Sequence, residues 1–239
     1  MTAYFISDLH LTAQRAAANQ QFFEFLRASP QSGDALYILG DLFEYWAGDD
    51  DLDDALNAAV GVALTACAGR GVAQYFIHGN RDFLIGQKFA DSARLTLLVD
   101  GATFDLHGPR TVFLHGDTLC TGDRAYQQFR AKVRAKDWRD SFLARSLADR
   151  KAEIENMRAM SETEKSNKPA DIMDVSETAV KNLFQESGAA RMIHGHTHRP
   201  ARHDYLMFGR NCVRWVLPAW DQRPGYLRID PAGDELIYL

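Results

Sequence analysis

One device, used five times, restricts what this chain can fold into more than any other feature of it. A short apolar run stops, and an Asp, Asn or His stands just past the stop. Ala35 to Leu39 leads into Gly40-Asp41-Leu42. Tyr4-Phe5-Ile6 leads into Ser7-Asp8-Leu9-His10, and Tyr75-Phe76-Ile77 into His78-Gly79-Asn80-Arg81-Asp82. Val112-Phe113-Leu114 leads into His115-Gly116-Asp117, and Met192-Ile193 into His194-Gly195-His196-Thr197-His198. Short apolar runs bounded by turn residues read as buried strands. Helical periodicities between them give an α/β chain, and open α/β sheets carry their sites at strand ends. Asp, Asn and His are also donors for hard-to-borderline divalent cations.

The chain has 239 residues and 46% hydrophobic content, enough for one large domain or one domain with an insertion. A formal charge of −5 argues against a general nucleic-acid binder. Cys67, Cys120 and Cys212 are far apart, as expected of structural thiols in a reducing compartment. Asp8 and His10 interrupt the first apolar run too soon for a signal peptide, and no run approaches the length needed to span a bilayer.

In chain order, the pattern predicts a helix over Ala13–Arg27, stopped by Ser29-Pro30. The acids Glu44 and Asp49-Asp50-Asp51 are expected in a solvated loop and at a helix N-terminus. Further helices are predicted over Leu52–Ala68 and Phe83–Phe89, with a strand over 72–78. Hairpin-like runs follow at Leu95–Val99 and Thr103–Leu106, then a strand over 111–115. Residues 124–168 break the strand–helix alternation. They carry 12 Lys and Arg against 7 Asp and Glu, a local +5 that leaves −10 for the remainder. Two helices are predicted there, Arg124–Lys136 and Trp138–Met160, with apolar stripes beside the basic ones. The segment reads as an inserted basic amphipathic cap within a single domain, 1–239. A helix over Asp171–Glu186, a strand over 190–194 and runs at Val213–Leu217, Tyr226–Ile229 and Glu235–Leu239 complete the chain. His107 and His203 read as surface residues, and His78 and His194 as hydrogen-bonded groups inside strands.

Asp-x-His, Gly-Asp, Gly-Asn-x-Asp, His-Gly-Asp and Gly-His-x-His, in this order, resemble the calcineurin-like metallophosphoesterases over nearly the whole chain. The resemblance implies a four-layer α-β-β-α sandwich of two mixed sheets with the helical cap inserted. It also implies two cations. One would take Asp8, His10, Asp41 and His198; the other would take Asn80, His115, His196 and the shared Asp41. Two-metal sites clamp the attacking and leaving oxygens of an in-line displacement. Many members of the superfamily have His after Gly-Asn, but this chain has Arg81. Arginine cannot act as an acid at neutral pH, but it can grip phosphate oxygens in pairs. That favours a phosphate leaving group, and so a pyrophosphate link.

Longer strings narrow the resemblance. Gly40-Asp41-Leu42-Phe43-Glu44-Tyr45-Trp46, Gly79-Asn80-Arg81-Asp82-Phe83, His115 to Thr121 and His194 to Pro200 are similar to the UDP-2,3-diacylglucosamine diphosphatases of lipid A biosynthesis. That family implies a Mn-dependent hydrolase with two Mn²⁺ per chain, in which water attacks the α-phosphorus of UDP-2,3-diacylglucosamine. The products are UMP and 2,3-diacylglucosamine 1-phosphate. It implies a peripheral protein on an anionic surface, the cytoplasmic face of the inner membrane, and a monomer is expected. Its substrate contacts carry over to Asn80, Arg81, Asp123, Ser161, Lys168 and His196, and to Glu164, where the family usually has Asn. The alternatives are another phosphodiesterase or nuclease of the superfamily, or a non-catalytic metal-site scaffold. Arg81 and the amphipathic cap speak against the first, and the complete ligand set against the second.

Overall fold

The computed structural model describes residues 1–167, 172, 174–207 and 209–239, with backbone alone over 160–167. Two mixed sheets lie face to face. The first has six strands in the order β11-β10-β1-β2-β3-β4: β1 Ala3–Ile6, β2 Ala35–Ile38, β3 Ala73–Ile77, β4 Thr96–Leu98, β10 Gly225–Asp230 and β11 Gly233–Tyr238. The second runs β5-β6-β7-β9-β8: β5 Ala102–Asp105, β6 Arg110–Phe113, β7 Arg191–His194, β8 Ala201–Met207 and β9 Arg210–Val216. Strands β1 to β4 pair parallel, as do β6, β7 and β9. The edge strands β11, β5 and β8 and the β1·β10 seam pair antiparallel.

Strand alternation explains the layers. On β1, Ala3 and Phe5 join Tyr37, Phe113, Ile193 and Leu227 in the core between the sheets. Tyr4 and Ile6 point the other way, onto Phe22, Phe25 and Leu26 of α1 (Ala16–Ala28) and Val60 and Leu64 of α2 (Ala55–Gly69). Phe89 of α3 (Gln87–Ala93) joins that outer core. Beyond the second sheet, Val112 and Met192 pack on Val180 and Phe184 of α7 (Glu177–Ser187). The four layers are those the resemblance implies. With both faces covered, the central strands read as continuous apolar runs.

Several local expectations are corrected. Leu95–Val99 and Thr103–Leu106 do not form a hairpin: β4 pairs with β3 in the first sheet and β5 with β6 in the second. The turn between them carries the chain from one sheet to the other. The short helix starts at Gln87 rather than Phe83, because Asp49 accepts from Gly86 N and Phe89 N and so caps it there. Among its described residues, 124–167, the inserted segment holds three helices: α4 Arg124–Arg134, α5 Lys136–Leu143 and α6 Leu147–Asn167. Ala135, extended at ψ 139°, breaks the first from the second without Pro or Gly. Helix α7 begins at Glu177, capped by the Ser176 hydroxyl on Ala179 N. Strand β8 has no continuous apolar run to announce it, since half-buried and exposed residues alternate along it.

Of the acids after β2, Asp50 is exposed as expected, while Glu44 and Asp49 are half-buried and Asp51 is buried. Trp46 Nε1 donates to Asp49 at 3.0 Å. Asp50 pairs with Arg150 and Asp51 with Lys151, both on α6. Arg150 is 1% exposed and also donates to Ala47 O at 2.7 Å. Phe142 and Ile154 are buried in one cluster with Phe43, Trp46 and Phe89. Helices α5 and α6 therefore share their apolar contacts with the body, and several of their cations point inward.

Candidate metal centre

The loops after β1, β2 and β3 meet those after β6 and β7 at one end of the sandwich, stitched together by main-chain bonds. Asp8 N donates to Gly40 O at 3.1 Å, His10 N to Asp41 O at 3.0 Å and Gly195 N to His115 O at 2.8 Å. Two glycines are sterically required. A Cβ on Gly40, where φ is +84°, would run into the Gly79 backbone, and one on Gly79 into the Asp41 carboxylate.

All seven expected ligands converge here. Asp8, His10, Asp41 and His115 are buried, while Asn80, His196 and His198 are half-buried. His198 Nε2 lies 3.4 Å from Asp8 Oδ1 and 3.4 Å from His10 Nε2, and His10 Nε2 lies 3.8 Å from Asp41 Oδ2. On the other side His115 Nε2 lies 3.7 Å from Asp41 Oδ2, 3.0 Å from Asn80 Oδ1 and 3.2 Å from His196 Nδ1. His196 Nδ1 is 2.9 Å from Asn80 Oδ1. Asp41 stands between the two groups, and Asp8 also comes within 4.8 Å of Asp41 and His115.

The donor chemistry fits divalent cations. His115 Nδ1 donates to Leu39 O at 2.9 Å, so the lone pair of the neutral ring sits on Nε2, facing the centre. Asp8 Oδ2 accepts from Ser7 Oγ and His196 N, while its buried Oδ1 has no hydrogen-bond partner. Burial favours a neutral His115, yet Asp41, Asp8 and Asp117 outweigh it and raise its pKa to about 9. A field that favours a proton there also favours a metal cation. Burial, and then the His115 charge, push His196 down to about 4. Neutral imidazole is the form that binds metal.

The backbone marks the same residues. Seven non-glycine residues among those described have positive φ, and five are expected ligands: Asp8 (53°), His10 (50°), Asp41 (53°), His196 (67°) and His198 (55°). Such conformations cluster at functional sites, where surrounding structure holds them.

The groups that hold this arrangement were legible only in part. Asp82 is fully buried and accepts from Leu42 N at 2.7 Å and Gly79 N at 2.9 Å, tying the Asp41 and Asn80 loops together. Asp117 accepts from Tyr126 Oη at 2.6 Å and Arg130 Nε at 2.7 Å, which seats α4 beside the centre. Burial opposes its charge, but His115, His196, Arg130 and Arg134 hold its carboxyl well below the ordinary range. Both acids sit inside the quoted motifs, which was the available signal. His78 and His194 are hydrogen-bonded as expected, to Ile85 O at 2.7 Å and to Arg214 at 3.0 Å, but His78 lies one position past β3 rather than within it. His107 is exposed and His203 half-buried.

Two concavities share a wall here. A polar cleft of about 350 Å³ is lined by His10, Asp41, Asn80, Arg81, His196 and His198. It opens into an apolar groove of about 520 Å³ between the body and α4 to α6, lined by Trp46, Phe83, Phe129, Trp138, Phe142 and Met157. Asn80, Arg81 and His196 border both, and Asp123, which caps α4 through Tyr126 N, borders the groove. The side chains of Ser161 and Glu164 and the whole of Lys168 lie outside the described residues.

Residues 1–200 match the family described as calcineurin-like phosphoesterase. The chain belongs to that family. Curated relatives sharpen the likeness. A "UDP-2,3-diacylglucosamine hydrolase" of Aromatoleum aromaticum is 52% identical to this phosphoesterase over 98% of the chain and 95% of that relative. Proteins of the same name from Aeromonas hydrophila and Escherichia coli O81 are 45% and 44% identical, over at least 98% of each chain compared.

Proposed function

We propose that this phosphoesterase hydrolyses the pyrophosphate link of UDP-2,3-diacylglucosamine, giving UMP and 2,3-diacylglucosamine 1-phosphate. The observation that carries the reading is the adjacency of the polar cleft and the apolar groove across Asn80 and Arg81. A substrate with a diphosphate and two acyl chains needs such neighbours. The names of the relatives support the same substrate. Asp8, His10, Asp41 and His198 would hold one Mn²⁺; Asp41, Asn80, His115 and His196 would hold the second. Bound there, the pair would stabilise charge on phosphate oxygens and acidify water.

The chain's own residues do the rest. Arg81 lines both cleft and groove, and it would hold the phosphate bearing the sugar as the P–O bond breaks. Being always protonated, it supplies charge rather than a proton. Asp123, with Ser161, Glu164 and Lys168, would steady the substrate from the insertion, and the groove would take the acyl chains. The deciding assay incubates the purified protein with UDP-2,3-diacylglucosamine and Mn²⁺. UMP and the 1-phosphate appear together; intact substrate after incubation with protein shown to bind Mn²⁺ refutes the reading.

Attack is placed on the uridine-side α-phosphorus, in line with the departing sugar phosphate. Hydrolysis in ¹⁸O water then labels UMP and leaves the sugar 1-phosphate unlabelled; label in the 1-phosphate would reverse the orientation. Arg81→His slows this reaction, since histidine loses the paired grip and a phosphate leaving group gains little from an acid. Turnover at or above wild type would sink the leaving-group argument.

No described helix is long and apolar enough to cross a membrane. Contact with the cytoplasmic face of the inner membrane is assigned to α4 and α5, where Arg124, Lys132 and Arg139 are exposed beside Phe129 and Leu143. Vesicle binding should weaken as salt shortens the Debye length from about 10 Å at 0.1 M to about 3 Å at 1 M. Co-sedimentation with anionic vesicles that ignores salt would argue against electrostatic contact.

A further inference from the structure

Glu44 lies three positions past Asp41, and its carboxylate meets three other segments. Its Oε2 is 3.3 Å from His10 Nδ1, an ion-pair distance short of hydrogen-bond geometry, and that buried nitrogen has no hydrogen-bond partner among the described residues. Its Oε1 accepts from Arg158 Nη2 of α6 at 2.6 Å and lies 3.7 Å from Arg81 Nη1. The backbone around it is fixed on both sides. Glu44 N donates to Leu11 O at 3.0 Å, and Trp46 N to Arg81 O at 3.2 Å. The side chain is 17% exposed, so water competes little for these contacts.

We infer that Glu44 is a positioning residue through which the helical insertion and the metal centre share one carboxylate. This deepens the proposed function and rests on its two-cation site. One oxygen orients the His10 ring so that Nε2 faces Asp41 and His198. The other anchors α6 through Arg158 and keeps Arg81 at the wall between cleft and groove. A ring ligand whose outer nitrogen is held by a carboxylate is better oriented and more basic, and loss of such a partner costs roughly 10–100-fold in metal affinity. Arg158 also lies over the Tyr45 ring, 5.9 Å from its centre, so the anchor has an aromatic side as well.

The test is a Mn²⁺ titration followed by electron paramagnetic resonance of the free ion, with no substrate present. Wild type binds two ions. Glu44→Ala weakens one site by roughly 10–100-fold and leaves the second unchanged. Glu44→Gln keeps shape and an acceptor oxygen but loses charge; it shifts the same site in the same direction by less. Arg158→Ala leaves both sites at wild-type affinity, because His10 keeps its partner. On the lipid substrate, Glu44→Ala and Arg158→Ala each raise KM, and the double variant is no worse in KM than Glu44→Ala alone, as expected of residues acting through one contact. Folded Glu44→Ala or Glu44→Gln protein with two wild-type Mn²⁺ sites overturns the inference and leaves the two-cation reading standing. Independent, multiplying effects on KM overturn the link to the insertion. A wild type that binds no Mn²⁺ removes the proposed function first, and the inference with it.

Discussion

Asp41→Ala lowers turnover by roughly three orders of magnitude or more. The estimate follows from several kcal/mol of charge stabilisation at about 1.4 kcal/mol per tenfold in rate. Asp41 stands between both groups of donors, with Oδ2 3.8 Å from His10 Nε2 and 3.7 Å from His115 Nε2. Its Oδ1 accepts from Arg81 N at 2.8 Å, so the substitution also loosens the loop that carries Asn80 and Arg81. Asp41→Asn separates the two losses. Asparagine tolerates the left-handed backbone and keeps an acceptor for Arg81 N, but it removes the charge. Both variants should be assayed after metal depletion and Mn²⁺ repletion, with circular dichroism to confirm the fold. Near-native turnover in folded Asp41→Asn would show that this carboxylate is not the bridge.

Phe129→Asp reduces the preference for the lipid substrate over a small artificial phosphodiester by about tenfold or more. Full burial of a phenylalanine side chain is worth about 1.5–3 kcal/mol, and each 1.4 kcal/mol is tenfold in affinity. Phe129 is 44% exposed and borders the apolar groove, so its loss costs the fold little. A carboxylate placed there must be desolvated or must push the acyl chain away. The ratio of the two kcat/KM values is the measurement. An unchanged ratio would mean that the groove does not hold the acyl chains.

The five strand-end motifs were legible because each is local: the apolar run, the glycine and the donor lie within one short stretch. Their convergence was legible through the resemblance, since spacing alone does not say which strand ends meet. What the sequence concealed depends on long-range pairing. Leu97 and Phe104 sit in similar apolar runs, yet β4 and β5 belong to different sheets, because partners far along the chain decide the pairing. The break at Ala135 carries no Gly or Pro to announce it. Asp51 looks like a solvated acid until Lys151, about a hundred residues later, is brought against it. Glu44, Asp82 and Asp117 were in view as motif letters, but their role as struts needed the neighbouring loops.

The left-handed backbone at Asp8, His10, Asp41, His196 and His198 has a consequence for which side chains the site can accept. Two independent filters act on these positions. The first is affinity for a cation, which admits Asp, Glu, Asn, His and Cys. The second is tolerance of positive φ, which favours Asp, Asn and His several-fold and makes β-branched residues outliers. The overlap is the alphabet the chain uses. A glutamate at position 8 or 41 has a suitable ligand group, but it must meet the backbone filter as well as reach the cation. Altering metal selectivity by exchanging donors is therefore a problem of chain geometry before it is one of coordination chemistry. The freer positions are Asn80 and His115, the two expected ligands without that restriction.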